Sequence, residues 1–104
     1  MTENVVPLKR TPNKKEAETI IRKLVAEGKI EFHGHARKSM KKRKISTLQI
    51  LRCLEKGKLL EEPFTSLTHK GYETSMDRSV AGEWIKVVVC LRWTQDLLVI
   101  TAIN

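Results

Sequence analysis

The segment from residue 31 to residue 46 combines two histidines with a dense run of basic side chains. His33 and His35 are followed, within eight residues, by six lysines and arginines: Arg37, Lys38, Lys41, Lys42, Arg43 and Lys44. An imidazole can take up or release a proton near neutral pH. Lysine and arginine bind phosphate, and arginine can do so with two parallel hydrogen bonds. The segment is therefore either a solvated surface or a place where a phosphate is held beside a group that moves a proton.

The positive charge is concentrated in the first half of the chain. Of the net charge of +8, residues 1–58 carry +10 (16 Lys and Arg against 6 Asp and Glu) and residues 59–104 carry −2 (4 against 6). This asymmetry predicts a polyanionic partner, with nucleic acid first and an acidic protein second. No apolar run approaches the roughly 20 residues that span a membrane, and the N-terminus lacks the apolar stretch of a signal peptide. A cytoplasmic protein without membrane contact is therefore expected.

The cysteines and the paired histidines do not have the spacing of a metal site. Cys53 and Cys90 fall in different predicted elements, which favours two reduced thiols in the core over a disulfide. His33 and His35 have no Cys, Asp or Glu at ligand spacing, and the surrounding positive charge opposes a cation. No metal and no other cofactor is expected.

Helical spacing of apolar residues predicts a first helix over residues 14–27. Asn13 can cap its start, with Glu16 three residues later in a capping-box position. Gly28 can end the helix in the left-handed conformation.

A short strand at residues 29–33 and a second helix at residues 35–44 are predicted to follow. Ser46, with Gln49 three residues later, predicts the cap of a third helix. This third helix is expected to run to Gly57.

The second half of the chain has the patterns of strands, at residues 58–62, 72–80, 84–93 and 97–103. Residues 84–93 alternate, whereas the run LLVITAI is apolar on both sides and is expected to be central in the sheet. The links between the last three strands are short enough for antiparallel hairpins. The elements together predict an α+β fold, with two to three helices packed on one face of a curved, mainly antiparallel sheet of four to five strands. A single domain is expected over residues 13–104, after a flexible tail at residues 1–12.

The geometry of the second predicted helix suggests which basic residues can share a site. Arg43 lies roughly 80° around the helix from His35, on a stripe that adjoins the core, so it can pass along the core edge and meet Arg78 from the sheet. We predict that His35 transfers a proton while Arg43 and Arg78 bind phosphate. The other basic side chains of the helix are predicted to bind nucleic acid, and two residues of the sheet are weaker candidates: Arg37, Lys38, Lys41, Lys42 and Lys44, then Tyr72 and Thr101.

The candidate site residues also have simpler interpretations. His35 can serve only as the cap of its helix, and the lysines can form an ordinary solvated face. Arg78 can pair across strands with Glu73 or Glu83.

The remaining histidines and the tryptophans are expected to have structural roles. His33 is expected to be structural or exposed, and His69 to be solvated in a loop. Trp84 and Trp93 are expected to pack against the core or an edge rather than to stack on bases.

The segment from His35 to Ser46 resembles the opening pattern H-A-x-x-R-M-x-x-R-x-I-S of the bacterial domain of unknown function 4258 family. The matching residues are His35, Ala36, Met40, Arg43, Ile45 and Ser46. Further likenesses are the arginine ahead of a hairpin in MDRSVAGEW and the closing strands VVVCL and LLVITAI. The resemblance covers about residues 30–104 and leaves out the first predicted helix. Ser39 stands where the pattern has arginine, and Arg37 and Lys38 lie just before it.

This family is similar to the RelE/ParE-like and BrnT-like toxins and, more widely, to the barnase, EndoU and colicin RNase fold. The resemblance implies a RelE-like fold and a metal-independent endoribonuclease, the toxin of a toxin–antitoxin pair, which cleaves RNA through attack of the RNA's own 2′-hydroxyl. The implied partners are RNA and an acidic antitoxin protein. A non-catalytic nucleic-acid-binding module and a protein-interaction domain stay open as alternatives, as do the monomer and the homodimer.

Overall fold

The computed structural model describes residues 11–93 and 95–104. The helices are α1 (Lys14–Ala26), α2 (Gly34–Arg43) and α3 (Thr47–Lys56). The strands are β1 (Ile30–Phe32), β2 (Lys58–Leu59), β3 (Phe64–Thr65), β4 (Tyr72–Val80), β5 (Glu83–Arg92) and β6 (Asp96–Ile103). Residues 1–10 of the predicted tail lie outside the described residues, and Pro12 is buried.

The strands form one sheet in the order β1-β6-β5-β4-β2, with β3 also paired to β4. Every pairing is antiparallel except that of β1 with β6, which is parallel. The predicted α+β fold with a mainly antiparallel sheet is therefore confirmed. The strand β3 was not predicted, because two residues are too few to reveal an alternating pattern.

Two capping boxes begin the first and third helices, as predicted. The backbone N–H of Glu16 donates to the Asn13 side chain (2.8 Å), and the Asn13 N–H donates to the Glu16 carboxylate (2.9 Å). Ser46 and Gln49 make the same reciprocal pair, at 3.1 and 2.7 Å. Each box satisfies backbone donors that a helix leaves unpaired at its start, which is why the sequence locates both boundaries.

The core lies between the helices and one face of the sheet. α1 contributes Ala17, Ile21 and Leu24, α3 contributes Ile50, Cys53 and Leu54, and β5 contributes Val87, Val89 and Leu91. Both cysteines are buried and free, as predicted. Burial raises the pKa of the Cys53 thiol, and likewise that of Cys90, to about 11, so both stay protonated at neutral pH.

Gly57 allows the end of α3 to lie directly against β4. A Cβ at this position would stand 2.5 Å from the carbonyl oxygen of Asp77 and would also collide with the carbonyl oxygen of Cys53. Both obstructing atoms belong to the backbone, so no side-chain rotation can relieve the contact. This close contact holds the end of α3 against β4 at Asp77, the residue before Arg78.

We expect Gly57→Ala to lower the free energy of unfolding by about 2–3 kcal/mol, since overpacking against backbone must shift α3 away from β4. Urea unfolding followed by circular dichroism measures this change. Gly34→Ala is the matched control, because a Cβ there meets nothing within 4 Å and alanine is the better helix former. Equal urea midpoints for Gly57→Ala and the wild type would contradict the close packing.

Candidate functional site

A cleft of about 720 Å³ lies between the β4–β5 hairpin and the junction of α2 with α3. Its charged lining comes from three parts of the chain. Arg43 and Lys44 belong to the end of α2, Arg52 to α3, and Arg78 and Glu83 to the hairpin. The cleft therefore combines side chains that are far apart in the sequence.

The register of the hairpin explains why Arg78 and Glu83 face the cleft. Arg78 pairs with Ile85, and Val80 pairs with Glu83. Side chains alternate between the two faces of a strand, so these four residues share the face on which Met76 packs into the core. Beyond the edge of the helices, the same face continues into the cleft.

The three arginines of the cleft have no partners among residues 11–93 and 95–104. No ion pair or side-chain hydrogen bond within this part of the chain involves the guanidinium groups of Arg43, Arg52 or Arg78. Arg92, by contrast, binds Asp96 with two hydrogen bonds of 2.6 and 2.7 Å. With four basic side chains and one carboxylate, the cleft carries a net charge of +3 and is suited to an anion.

The sequence also allowed an ion pair of Arg78 with Glu73 or Glu83. Neither ion pair is present between these described residues. The carboxylate of Glu73 instead accepts a hydrogen bond from the hydroxyl of Ser66 (2.5 Å). Glu73 also points to the opposite face of β4, because it is an odd number of residues from Arg78.

Two residues of the cleft have an unfavourable backbone conformation. Lys44 (φ 56°) and Ala81 (φ 53°) are the non-glycine residues with positive φ in the described part of the chain, and both line the cleft. Lys44 ends α2 in the left-handed conformation, where glycine is preferred. Ala81 and Gly82 form the two-residue turn of the hairpin. A residue with a Cβ in this conformation destabilises the fold, and glycine or asparagine could replace it wherever its side chain has no function. Such conformations are therefore found most often at functional sites.

His35 does not line this cleft. It lies in the first turn of α2, eight residues before Arg43 and so about 12 Å away along the helix axis. Its side chain is exposed, and it is not the helix cap. His33 is the cap, because the backbone N–H of His35 donates to its Nδ1 atom (3.1 Å). The structure therefore brings Arg43 and Arg78 together and leaves His35 at the other end of α2.

His33 also contacts His69, which is partly buried rather than fully solvated. The two rings meet edge to face, with centroids 5.2 Å apart. This contact joins the loop before β4 to the start of α2.

The other predicted binding residues are divided between the cleft and the surface of α2. Lys44 lines the cleft, whereas the side chains of Lys38, Lys41 and Lys42 are exposed along the helix. Arg37 is also outside the cleft, and its Nε donates to the carbonyl oxygen of Phe32 (3.3 Å). The basic side chains of α2 thus form a surface that leads from His35 towards the cleft.

The two weaker candidates, Tyr72 and Thr101, lie outside the cleft as well. The hydroxyl of Thr101 is 3.1 Å from that of Ser39, so it joins β6 to the middle of α2. Ser39, which replaces an arginine of the family pattern, therefore makes a structural contact. Tyr72 lines a separate cavity of about 280 Å³ at the far end of β4.

Arg52 and Glu83 were not predicted as site residues. The sequence did contain a signal for Glu83. A two-residue turn at Ala81 and Gly82 requires Val80 to pair with Glu83, and this pairing puts Glu83 on the same face as Arg78. No comparable signal marks Arg52, since its position depends on how α3 packs on the sheet.

Within residues 11–93 and 95–104, no three His, Cys, Asp or Glu side chains are close enough together to hold a metal ion. No helix in the described ranges combines the length and the apolar character needed to cross a membrane. Neither cysteine lines the cleft.

The model of one protein family, described as a domain of unknown function (DUF4258), matches residues 32–104. The chain belongs to this family, as the motif from His35 to Ser46 predicted. No curated protein and no solved structure gives a significant match. The matched region contains every residue that lines the cleft, whereas α1 precedes it.

We expect Lys44→Gly to raise the free energy of unfolding by about 1 kcal/mol, because the left-handed conformation is unfavourable for a residue with a Cβ. Urea unfolding again provides the measurement. Lys38→Gly is the control: it removes the same charge from the middle of α2 and should lower the free energy of unfolding by about 1 kcal/mol. A Lys44→Gly protein less stable than the wild type would show that the Lys44 side chain stabilises the fold.

Proposed function

We propose that this protein is a metal-independent endoribonuclease, the toxin of a cytoplasmic toxin–antitoxin pair, which holds the phosphates of RNA in the cleft. The observation that supports the proposal most directly is the group of unpartnered guanidinium groups of Arg43, Arg52 and Arg78 around one cleft. The volume of the cleft, about 720 Å³, falls in the range of small-ligand pockets and suits a short segment of a nucleic acid.

The charge of the cleft suits the phosphates of a nucleic acid. Guanidinium groups match the phosphate oxygens with paired hydrogen bonds, and three such groups can contact neighbouring phosphates of one strand. Lys44 adds a fourth positive charge at a position where glycine would favour the fold. We attribute the presence of lysine at this position to binding rather than to stability.

The proposed reaction needs no metal and no further reactant. The 2′-hydroxyl oxygen of RNA attacks the adjacent phosphorus, so that the P–O2′ bond forms and the P–O5′ bond breaks. A base takes the proton of the 2′-hydroxyl, and the leaving 5′-oxygen receives a proton. The products are a 2′,3′-cyclic phosphate and a 5′-hydroxyl. The arginines would stabilise the extra negative charge that develops on the phosphate oxygens in the transition state.

His35 can take part in this proton transfer only if the RNA strand runs along α2, past Lys38, Lys41 and Lys42. Its distance from the arginines favours a second candidate function, a domain that binds RNA in the cleft without cleaving it. In either case, an acidic partner protein that covered the cleft would block RNA by competing for the same cations.

The binding proposal predicts that Arg78→Ala weakens binding of a short single-stranded RNA by a factor of about 10–100, because a hydrogen bond to a charged group contributes on the order of 1.5–3 kcal/mol. Fluorescence anisotropy at several salt concentrations measures the affinity. The slope of log K against log salt should also decrease by about 0.7 for each phosphate that the variant no longer binds.

The matched control for this experiment is Arg37→Ala, which removes a guanidinium group that bonds to a backbone carbonyl outside the cleft. Its affinity and salt slope should stay close to those of the wild type. An equal loss of affinity in both variants would mean that RNA follows the outer surface of α2 and not the cleft.

The cleavage proposal predicts that the wild-type protein cuts RNA in the presence of EDTA and leaves 2′,3′-cyclic phosphate and 5′-hydroxyl ends. DNA of the same sequence should stay intact, since it lacks the attacking hydroxyl. Arg78→Ala should slow cleavage by a factor on the order of 100 and relieve the growth arrest expected on expression. Intact RNA together with normal growth and tight RNA binding would favour the non-catalytic candidate.

A further inference from the structure

We infer that Glu83 is the general base that takes the proton of the 2′-hydroxyl, in the place that the sequence suggested for His35. The inference rests on the proposed endoribonuclease function. Glu83 is the one carboxylate side chain among the described residues that line the cleft, and it shares the cleft with Arg43, Arg52 and Arg78. Carboxylates accept protons in this kind of catalysis when they stand beside the reacting hydroxyl.

The register of the hairpin sets Glu83 at a suitable separation from Arg78. Glu83 stands opposite Val80, two residue pairs nearer the turn than the pair of Arg78 with Ile85 and on the same face of the hairpin. Diagonal neighbours of this kind on one face of an antiparallel pair are about 7–8 Å apart. Both side chains extend from this backbone spacing into the same cleft, so a phosphate bound by Arg78 would present the 2′-hydroxyl of the attached ribose on the side of Glu83.

The carboxylate of Glu83 has no hydrogen-bond or ion-pair partner among residues 11–93 and 95–104. Other carboxylates of the strands and their loops are used by the fold. Asp77 accepts from the indole of Trp84 (2.9 Å), Glu61 accepts from Ser75 (2.8 Å), and Asp96 pairs with Arg92. Glu83 therefore keeps its oxygen atoms available to a hydroxyl of the substrate.

A negative charge in a cleft that binds phosphate weakens that binding, because it repels the ligand. A site that only binds RNA would gain affinity from a neutral residue at position 83. The carboxylate is explained if it accepts the proton of the attacking hydroxyl.

The backbone around Glu83 is held in position. The turn at Ala81 and Gly82 joins it directly to β4, and the neighbouring Trp84 is bonded through its indole N–H to Asp77. A base on a fixed strand can be aligned with the hydroxyl more closely than one on a free loop. His35, at the far end of α2, has no such relation to the arginines of the cleft.

In this step, water supplies the proton that the leaving 5′-oxygen receives. The 2′-hydroxyl proton passes to a carboxylate oxygen of Glu83 as the P–O2′ bond forms. The P–O5′ bond breaks, and the leaving oxygen takes a proton from water. Glu83 then returns its proton to the solvent, so the enzyme is restored without a covalent intermediate.

The test compares Glu83→Gln, Glu83→Asp and His35→Ala in two assays with a short single-stranded RNA and EDTA: affinity by anisotropy and single-turnover cleavage. Glu83→Gln should cleave at least roughly 100-fold more slowly, since general bases contribute about 10²–10⁴-fold. Its affinity should be unchanged or higher, because the repelling charge is gone. Glu83→Asp should keep part of the activity, and His35→Ala should cleave at the wild-type rate.

The outcomes separate the inference from the proposed function. Cleavage at the wild-type rate by Glu83→Gln overturns the role of Glu83. Loss of cleavage in His35→Ala alone assigns the proton transfer to His35, and the proposed nuclease function then still holds. Loss of RNA affinity in Glu83→Gln overturns the inference too, because it makes Glu83 a binding or structural residue. If the wild type binds RNA and does not cleave it, the proposed function fails and the inference fails with it.

Discussion

The pairing of β4 with β5 determines where the charged side chains of the hairpin lie. The turn at Ala81 and Gly82 puts Val80 opposite Glu83, and side-chain alternation then directs both Arg78 and Glu83 to the face that the helices cover. A shift of the pairing by one residue would place Arg78 and Glu83 on opposite faces of the sheet. The candidate site therefore depends on a single register, which is set by a turn that contains an unfavourable backbone conformation.

The arginines of the protein have two kinds of environment. Arg22 donates to the carbonyl oxygens of two residues at the end of α3, and Arg92 binds Asp96, so these side chains join parts of the fold. Arg43, Arg52 and Arg78 make no such bonds in the described part of the chain, although they lie around one cleft. Like charges held together without partners oppose folding, and the core between helices and sheet offsets that cost. This contrast separates the residues that build the fold from those available to a ligand.

Much of the fold could be predicted because the signals that define it are local. The capping boxes at Asn13 and Ser46 and the left-handed Gly28 depend on residues within one turn of a helix, and the structure has all three. The strands of the hairpins were predicted from the alternation in β5 and from the continuous apolar run in β6. The parallel pairing of β1 with β6 could not be predicted, because it joins segments more than 60 residues apart and no local pattern encodes that contact.

The sequence by itself determined the helix boundaries to within one residue, the hairpins, the family and the excess of positive charge in the first half of the chain. Each of these depends on residue type and short-range spacing. It also pointed to Arg43 and Arg78. Only the tertiary structure decided which charges share a cleft, because that depends on how α3 packs against β4 and on the length of α2. Packing brought Arg52 to the cleft, and the rise of about 1.5 Å per residue along α2 carried His35 away from the arginines. The position of Glu83 follows from the turn of the hairpin, which is a local signal.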